Sequence, residues 1–346
     1  VGSLARFELS HQAQRHPNDP SYQAVARLNE PSPFTRGGPG PNGCIKPELV
    51  EYGGNYAVDS RDSSESRVDH LLGEPAPEQE FIRRGRWLSD FCGTSFSAPK
   101  VTHLAGLLLR EYPDASANLL RALLVAHAEP PKFPRPSLFT TEASRHLVGY
   151  GRPREEKCVF SIESCVTLLS ESKIAPDAHH FYELPLPEDF LRAGRSSRRI
   201  RIALSHMPPV RTTRVEYRAA RLKFRLIEAA NLEEVNRVYQ RASKKDREPE
   251  IKEFRGGGSP GTDHRSRGTV QAAQYEVRDL KKSKGEMRLF LVVTHTVLPW
   301  GASLVEEEES YSVVVALEDM AQGEVRYFTQ IQAKLQARVR PRARFR

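Results

Sequence analysis

Ser95 is the residue of this chain best placed for nucleophilic chemistry. It lies in Gly93-Thr94-Ser95-Phe96-Ser97-Ala98-Pro99, a run of mostly small residues that ends in proline. Beyond Pro99, Val101, Leu104, Ala105 and Leu108 fall at i, i+3, i+4 and i+7 and predict an amphipathic helix. Pro99 suits the first turn of that helix, where a missing N–H costs nothing. A serine at a helix N-terminus stands among unpaired backbone N–H groups and at the positive end of the helix dipole. Such groups stabilise an alkoxide or a tetrahedral oxyanion. The position equally suits a serine that only caps the helix, and spacing alone leaves both readings open.

A serine hydroxyl needs an adjacent base to act at neutral pH. His11, His16, His70, His103, His127 and His146 are scattered, and His103 and His127 read as helix residues rather than as a base. Asp59, Asp62 and Asp69 fall in a polar stretch, residues 59–80, that reads as a surface insertion. Cys44, Cys92, Cys158 and Cys165 show neither a disulfide framework nor zinc spacing. Cys92 reads as a small buried residue, and the cysteine usage points to a reducing cytoplasm.

The elements that must position Ser95 follow from the pattern around it. Residues 1–58 read as short strands and turns rich in Gly and Pro. Phe81 to Phe91 is expected to return to the core with Trp87. The helix from Pro99 is stopped at Pro113, and Ser116 caps a second helix with Leu120, Leu123, Leu124 and His127 on one face. Beyond Arg154 the period changes to two. Ile200, Ile202 and Leu204 alternate with Arg201 and Ala203, and Leu222, Phe224 and Leu226 with Lys223 and Arg225. With Leu289–Thr294 and Tyr311–Leu317, these spaced strands predict an antiparallel β-sandwich. Arg241 to Arg267, with Gly256-Gly257-Gly258, reads as a flexible loop, and the acidic run Glu306 to Glu309 as a hairpin tip.

Gly-Thr-Ser-Phe-Ser-Ala-Pro resembles the nucleophile motif of the subtilisin-like serine proteases, the subtilases, with Ser95 at the nucleophile position. Phe34-Thr35-Arg36-Gly37-Gly38-Pro39 and Ile45-Lys46-Pro47-Glu48-Leu49-Val50 resemble the segment that precedes it in that family. Tyr52-Gly53-Gly54 departs from the usual Ala-Pro-Gly. Val1-Gly2-Ser3-Leu4-Ala5 and Gly149-Tyr150-Gly151 complete matches that stand in the family's order. The resemblance implies an α/β fold: the C-terminal part of a subtilisin-like parallel-sheet domain over 1–155, then a β-sandwich-like domain with a basic tail over 156–346. It also implies serine endopeptidase activity on a protein or peptide, with Asp, His and an oxyanion Asn expected upstream of Val1. The chain alone is then expected to be nearly inert. The alternative is an inactive fragment or pseudoprotease that serves as an interaction scaffold.

Calcium is a possible cofactor by the same resemblance, although no oxygen-ligand cluster stands out and no other cofactor is indicated. Tyr217-Arg218-Ala219-Ala220-Arg221-Leu222 and Arg267-Gly268-Thr269-Val270-Gln271 resemble the C-terminal domain of large bacterial subtilases encoded beside an AAA-type ATPase. Such an ATPase is the implied partner.

Charge separates the halves. Residues 1–170 carry 19 Lys and Arg against 20 Asp and Glu, whereas residues 171–346 carry 33 against 24. The surplus gathers at Lys334, Arg338, Arg340, Arg342, Arg344 and Arg346, which reads first as a solvated tail. With only Phe345 among them for base stacking, nucleic-acid binding is disfavoured. No apolar run reaches the length of a membrane span.

Overall fold

The structure is a computed structural model that describes residues 1–8, 21–59, 68–85, 87–192, 194–243, 249–280, 288–305, 307–320 and 325–339. They form two compact units, Val1–Asp114 with His127–Cys158, and Ala115–Ala126 with Val159–Arg346. The chain begins with β1 (Gly2–Leu4), β2 (Tyr22–Ala24), β3 (Val50–Tyr52), β4 (Asn55–Asp59), β5 (Val68–Leu72) and β6 (Glu74–Pro77). Next come α1 (Phe81–Arg84), β7 (Leu88–Phe91), α2 (Thr94–Glu111), α3 (Ala117–Ala126), β8 (Ala128–Glu129), α4 (Thr141–Val148), β9 (Arg152–Pro153) and α5 (Glu155–Val159). The remaining elements are β10 (Cys165–Ile174), β11 (His179–Glu183), α6 (Glu188–Leu191), β12 (Gly194–His206), β13 (Ala220–Glu228) and α7 (Leu232–Ser243). They end with α8 (Thr262–Arg265), β14 (Val270–Leu280), β15 (Leu289–Val297), β16 (Glu309–Asp319) and α9 (Tyr327–Val339). Parallel and antiparallel pairing together with these helices gives an α/β fold.

In the first unit β1 and β3 pair in parallel, with Gly2 opposite Val50 and Leu4 opposite Tyr52. Leu4 and Val50 are buried with Val148 of α4. α2 lies on β1 and β3 and buries Val101, Leu104 and Leu108, the face that the spacing predicts. Its start differs from the expectation. The helix opens at Thr94, so Pro99 is inside it rather than in its first turn. Gly93, at φ 155° and ψ 155°, turns the chain into the helix earlier than proline would, through a backbone that glycine adopts without strain.

Two further expectations are corrected here. The stretch 59–80 is not simply a loop: β4 and β5 form an antiparallel pair, and β6 pairs with β7. Asp59 ends β4, while Asp62 and the side chain of Asp69 lie outside the described residues. Trp87 does not return to the core. It is 76% exposed and stacks on Phe81 in the connection between β6 and β7.

The second unit is built on two antiparallel sheets, one ordered β10-β16-β12-β14 and the other β11-β15-β13. Their alternate residues share one core: Ile200, Ile202 and Leu204 of β12 meet Leu222, Phe224 and Leu226 of β13, with matching rows from β14, β15 and β16. The two-residue period predicts those rows, because successive strand side chains point to opposite faces. α3 belongs to this unit and packs on β12, β14 and β16. Ser116 caps it, its hydroxyl accepting from Leu119 N–H at 3.1 Å. His127 lies beyond the end of α3 rather than on its face, and is buried.

The Arg241–Arg267 segment is anchored rather than free where it is described. Phe254 joins the core, and Arg265 is fully buried. The Arg265 guanidinium donates to the carbonyls of Gly257 (2.7 Å), Pro260 (2.9 Å) and Phe224 (2.8 Å). Glu309 is no hairpin tip either, since it begins β16 and is buried; Glu306 lies outside the described residues. Arg340 to Arg346 also lie outside them.

Candidate active site

The site is assembled from the ends of β1 and β3 and the first turn of α2. Gly93 N–H donates to the Gly53 carbonyl at 2.9 Å, and Gly53 N–H to the Leu4 carbonyl at 3.2 Å. The turn that holds Ser95 is thereby fixed to the parallel strand pair. The approach is close. A β-carbon on Gly53 would lie 2.3 Å from Ser97 Oγ, 2.5 Å from Ser3 Oγ and 2.6 Å from the Gly93 carbonyl oxygen. Only glycine fits, and only small residues fit around it. Ser3 and Ser32 share a hydroxyl–hydroxyl bond of 2.8 Å, and Ser32 donates to the Gly54 carbonyl at 2.7 Å.

Ser95 is the second residue of α2, and its side chain is exposed. It does not cap the helix; Gly93 occupies the capping position, without a side-chain bond. The capping reading is thus overturned by position. Phe96 N–H turns back to the Gly93 carbonyl at 3.0 Å. Ser95 N–H is among the first four of the helix, which have no full-turn partner within it. An N–H without a backbone partner among the described residues, beside an exposed hydroxyl at the positive helix end, suits a nucleophile whose product carries an oxyanion. Ser97 points the other way and is fully buried. Phe91 and Phe96, which bracket Ser95 in sequence, stack at 5.6 Å between ring centroids.

Lys100 anchors the next turn. Its ammonium donates to the Tyr52 carbonyl at 2.9 Å and to Glu74 Oε2 at 2.7 Å, where Arg6 also pairs at 3.5 Å. Cys92 is half-buried rather than buried, and its thiol donates to the Asn55 carbonyl at 3.0 Å. A cleft of about 420 Å³ borders α2, lined by Arg6, Tyr52, Lys100, His103, Arg152 and Glu155 among others. Ser95 is not on its wall.

The base is another matter. Among the described residues no side chain hydrogen-bonds the Ser95 hydroxyl. His103 is exposed on α2, roughly 12 Å farther along the helix at 1.5 Å per residue. His127 is buried, and His146 lies on α4. His11, His16 and the side chain of His70 lie outside the described residues. Gly53, Ser3 and Lys100 were not singled out by spacing; the doublet Gly53-Gly54 after a strand was the available signal for a close approach.

A family model described as the subtilase family matches residues 4–151. The chain belongs to the subtilase family. The matched stretch of this subtilase begins at Leu4, the last residue of β1, and contains β3, Gly53, the Gly93 turn and all of α2. Likeness extends further along the chain. Uncharacterized protein y4bN of Sinorhizobium fredii (strain NBRC 101917 / NGR234) is 32% identical over 329 residues, which cover 92% of this subtilase and 73% of the relative. Among the described residues no helix is long and apolar enough to cross a membrane.

Proposed function

We propose that this subtilase is a serine endopeptidase in which Ser95 attacks the carbonyl of a peptide or protein substrate. The observation that carries the reading is the exposed Ser95 hydroxyl in the first turn of α2, beside a backbone N–H that has no backbone partner among the described residues. That N–H would hold one side of the oxyanion. A histidine oriented by an aspartate would take the Ser95 proton, and an asparagine amide would complete the oxyanion site, all three supplied from outside the described residues. In this reading the first unit is the C-terminal part of a subtilisin-like catalytic domain, and the second is an appended β-sandwich. The bond-breaking chemistry draws on side chains and backbone alone.

A second reading, a catalytically silent scaffold, draws on the lack of a base near Ser95 among the described residues. Fluorophosphonate labelling of the protein from its native source separates the two. Labelling that disappears in Ser95→Ala supports the protease. An intact protein that stays unlabelled, and cleaves no unfolded protein, supports the scaffold.

A further inference from the structure

The inward rows of the second unit end in ionisable and polar side chains at one end of the core. Continuing each apolar row by one alternate position leads from Leu204 to His206, from Val293 to His295, from Tyr311 to Glu309 and from Ala273 to Gln271. Arg218 stands one alternate position beyond Ala220 on the same row as Leu222. His206, Arg218 and Gln271 are fully buried, and His295 and Glu309 nearly so. His206 belongs to one sheet and His295 to the other, so the Glu309 carboxylate between them joins the two sheets.

The hydrogen bonds define the protons. His295 Nδ1 accepts from Asp177 N–H at 3.3 Å, so its proton is on Nε2, which donates to Glu309 Oε2 at 3.0 Å. His206 Nδ1 donates to Glu309 Oε1 at 2.6 Å. His206 Nε2 is buried and has no hydrogen-bond partner among the described residues. A proton placed there would be a buried cationic donor without an acceptor, which is unfavourable.

We propose that His206, Glu309 and His295 form a proton-controlled clamp: it joins the two sheets while His206 is neutral, and it loosens when His206 Nε2 takes up a proton. The groups that face His206 are Glu309 and Tyr311 from β16, His295 from β15, and Arg218, itself paired with Glu216, ahead of β13. His180 and Tyr182 of β11 reach the cluster through the Tyr311 hydroxyl. Burial holds His206 below the ordinary histidine value against the pull of Glu309, and the charge of Arg218 acts in the same direction as burial. The unfolded chain therefore binds a proton that the closed clamp does not. Stability is full above about pH 6.5 and falls as the pH drops below it.

Nitrogen-15 NMR of histidine-labelled full chain tests the clamp directly. His206 is expected as the neutral Nδ1–H tautomer at pH 7, and still mainly neutral at about pH 6.5, where an ordinary histidine is half protonated. An Nε2–H tautomer, or an imidazolium at pH 6.5, overturns the proposal. His206→Asn keeps a donor towards Glu309 but cannot charge. Hydrogen exchange of β12 and β16, corrected for the intrinsic rate, should show an opening constant that rises by up to about tenfold per pH unit below about pH 6.5 in the wild type relative to the variant. Equal pH dependence in both chains also overturns it. If the variant does not fold, the wild-type tautomer decides alone.

Discussion

Gly53 and Ser97 meet so closely that a β-carbon on Gly53 would stand 2.3 Å from the Ser97 hydroxyl oxygen. Gly53 also accepts the Gly93 N–H bond, so the same contact fixes the turn that opens α2. Gly53→Ala is expected to push α2 off the strand pair and to destabilise the first unit by about 1–3 kcal/mol, the range for overpacking. Urea unfolding reads the stability. Fluorophosphonate labelling of Ser95 should fall more than the folded fraction does.

The two serines of the motif should respond in opposite ways. Ser95 is exposed, so Ser95→Ala is expected to remove labelling and to change stability by no more than about 0.5 kcal/mol. Ser97 Oγ is buried without a hydrogen-bond partner among the described residues. Ser97→Ala should therefore keep labelling and leave stability unchanged or raised by up to about 1 kcal/mol. Loss of labelling in Ser97→Ala with retained stability would contradict this assignment.

Arg135 grips the buried Glu30 with two bonds, one of them Nε to Oε1 at 2.8 Å, and Arg27 N–H adds a third at 2.8 Å. The Arg135 bond holds Glu30 below the usual carboxylate value, against the upward effect of burial. The unfolded chain then binds a proton more readily than the folded one. The contribution of this pair is present above about pH 4.5 and is lost as the pH falls below it. Arg135→Met is expected to cost about 2 kcal/mol at pH 7, because it leaves a buried carboxylate without its cation. The difference in urea midpoint between the two chains should shrink towards pH 3.

Arg265 holds the segment before β14 through three backbone carbonyls and the Thr262 hydroxyl (2.7 Å), with its guanidinium 4.2 Å from the centre of the Phe224 ring. A lysine has no planar fork and cannot satisfy this set. Arg265→Lys is expected to cost about 3 kcal/mol. Limited proteolysis should then cut between residues 249 and 268 before any other part of the second unit.

Much of this was legible in the residues themselves. The helix face Val101, Leu104 and Leu108 and the inward rows Ile200–Ile202–Leu204 and Leu222–Phe224–Leu226 follow from local periods of side-chain direction, which need no knowledge of distant partners. The serine motif and its companions likewise pointed to the subtilase family. The start of α2 was not legible. It depends on Gly53, which lies between β3 and β4 and admits the Gly93 turn by lacking a β-carbon. Trp87 is an apolar residue of the type that fills cores, but it stands exposed in the connection between β6 and β7. Glu309 has the sequence of a polar tip, yet two histidines from different sheets surround its carboxylate. Sequence determined which faces are apolar, because those depend on near neighbours. Tertiary structure decided where elements begin and which charges are buried, because those depend on residues far apart in the chain that fill the same space.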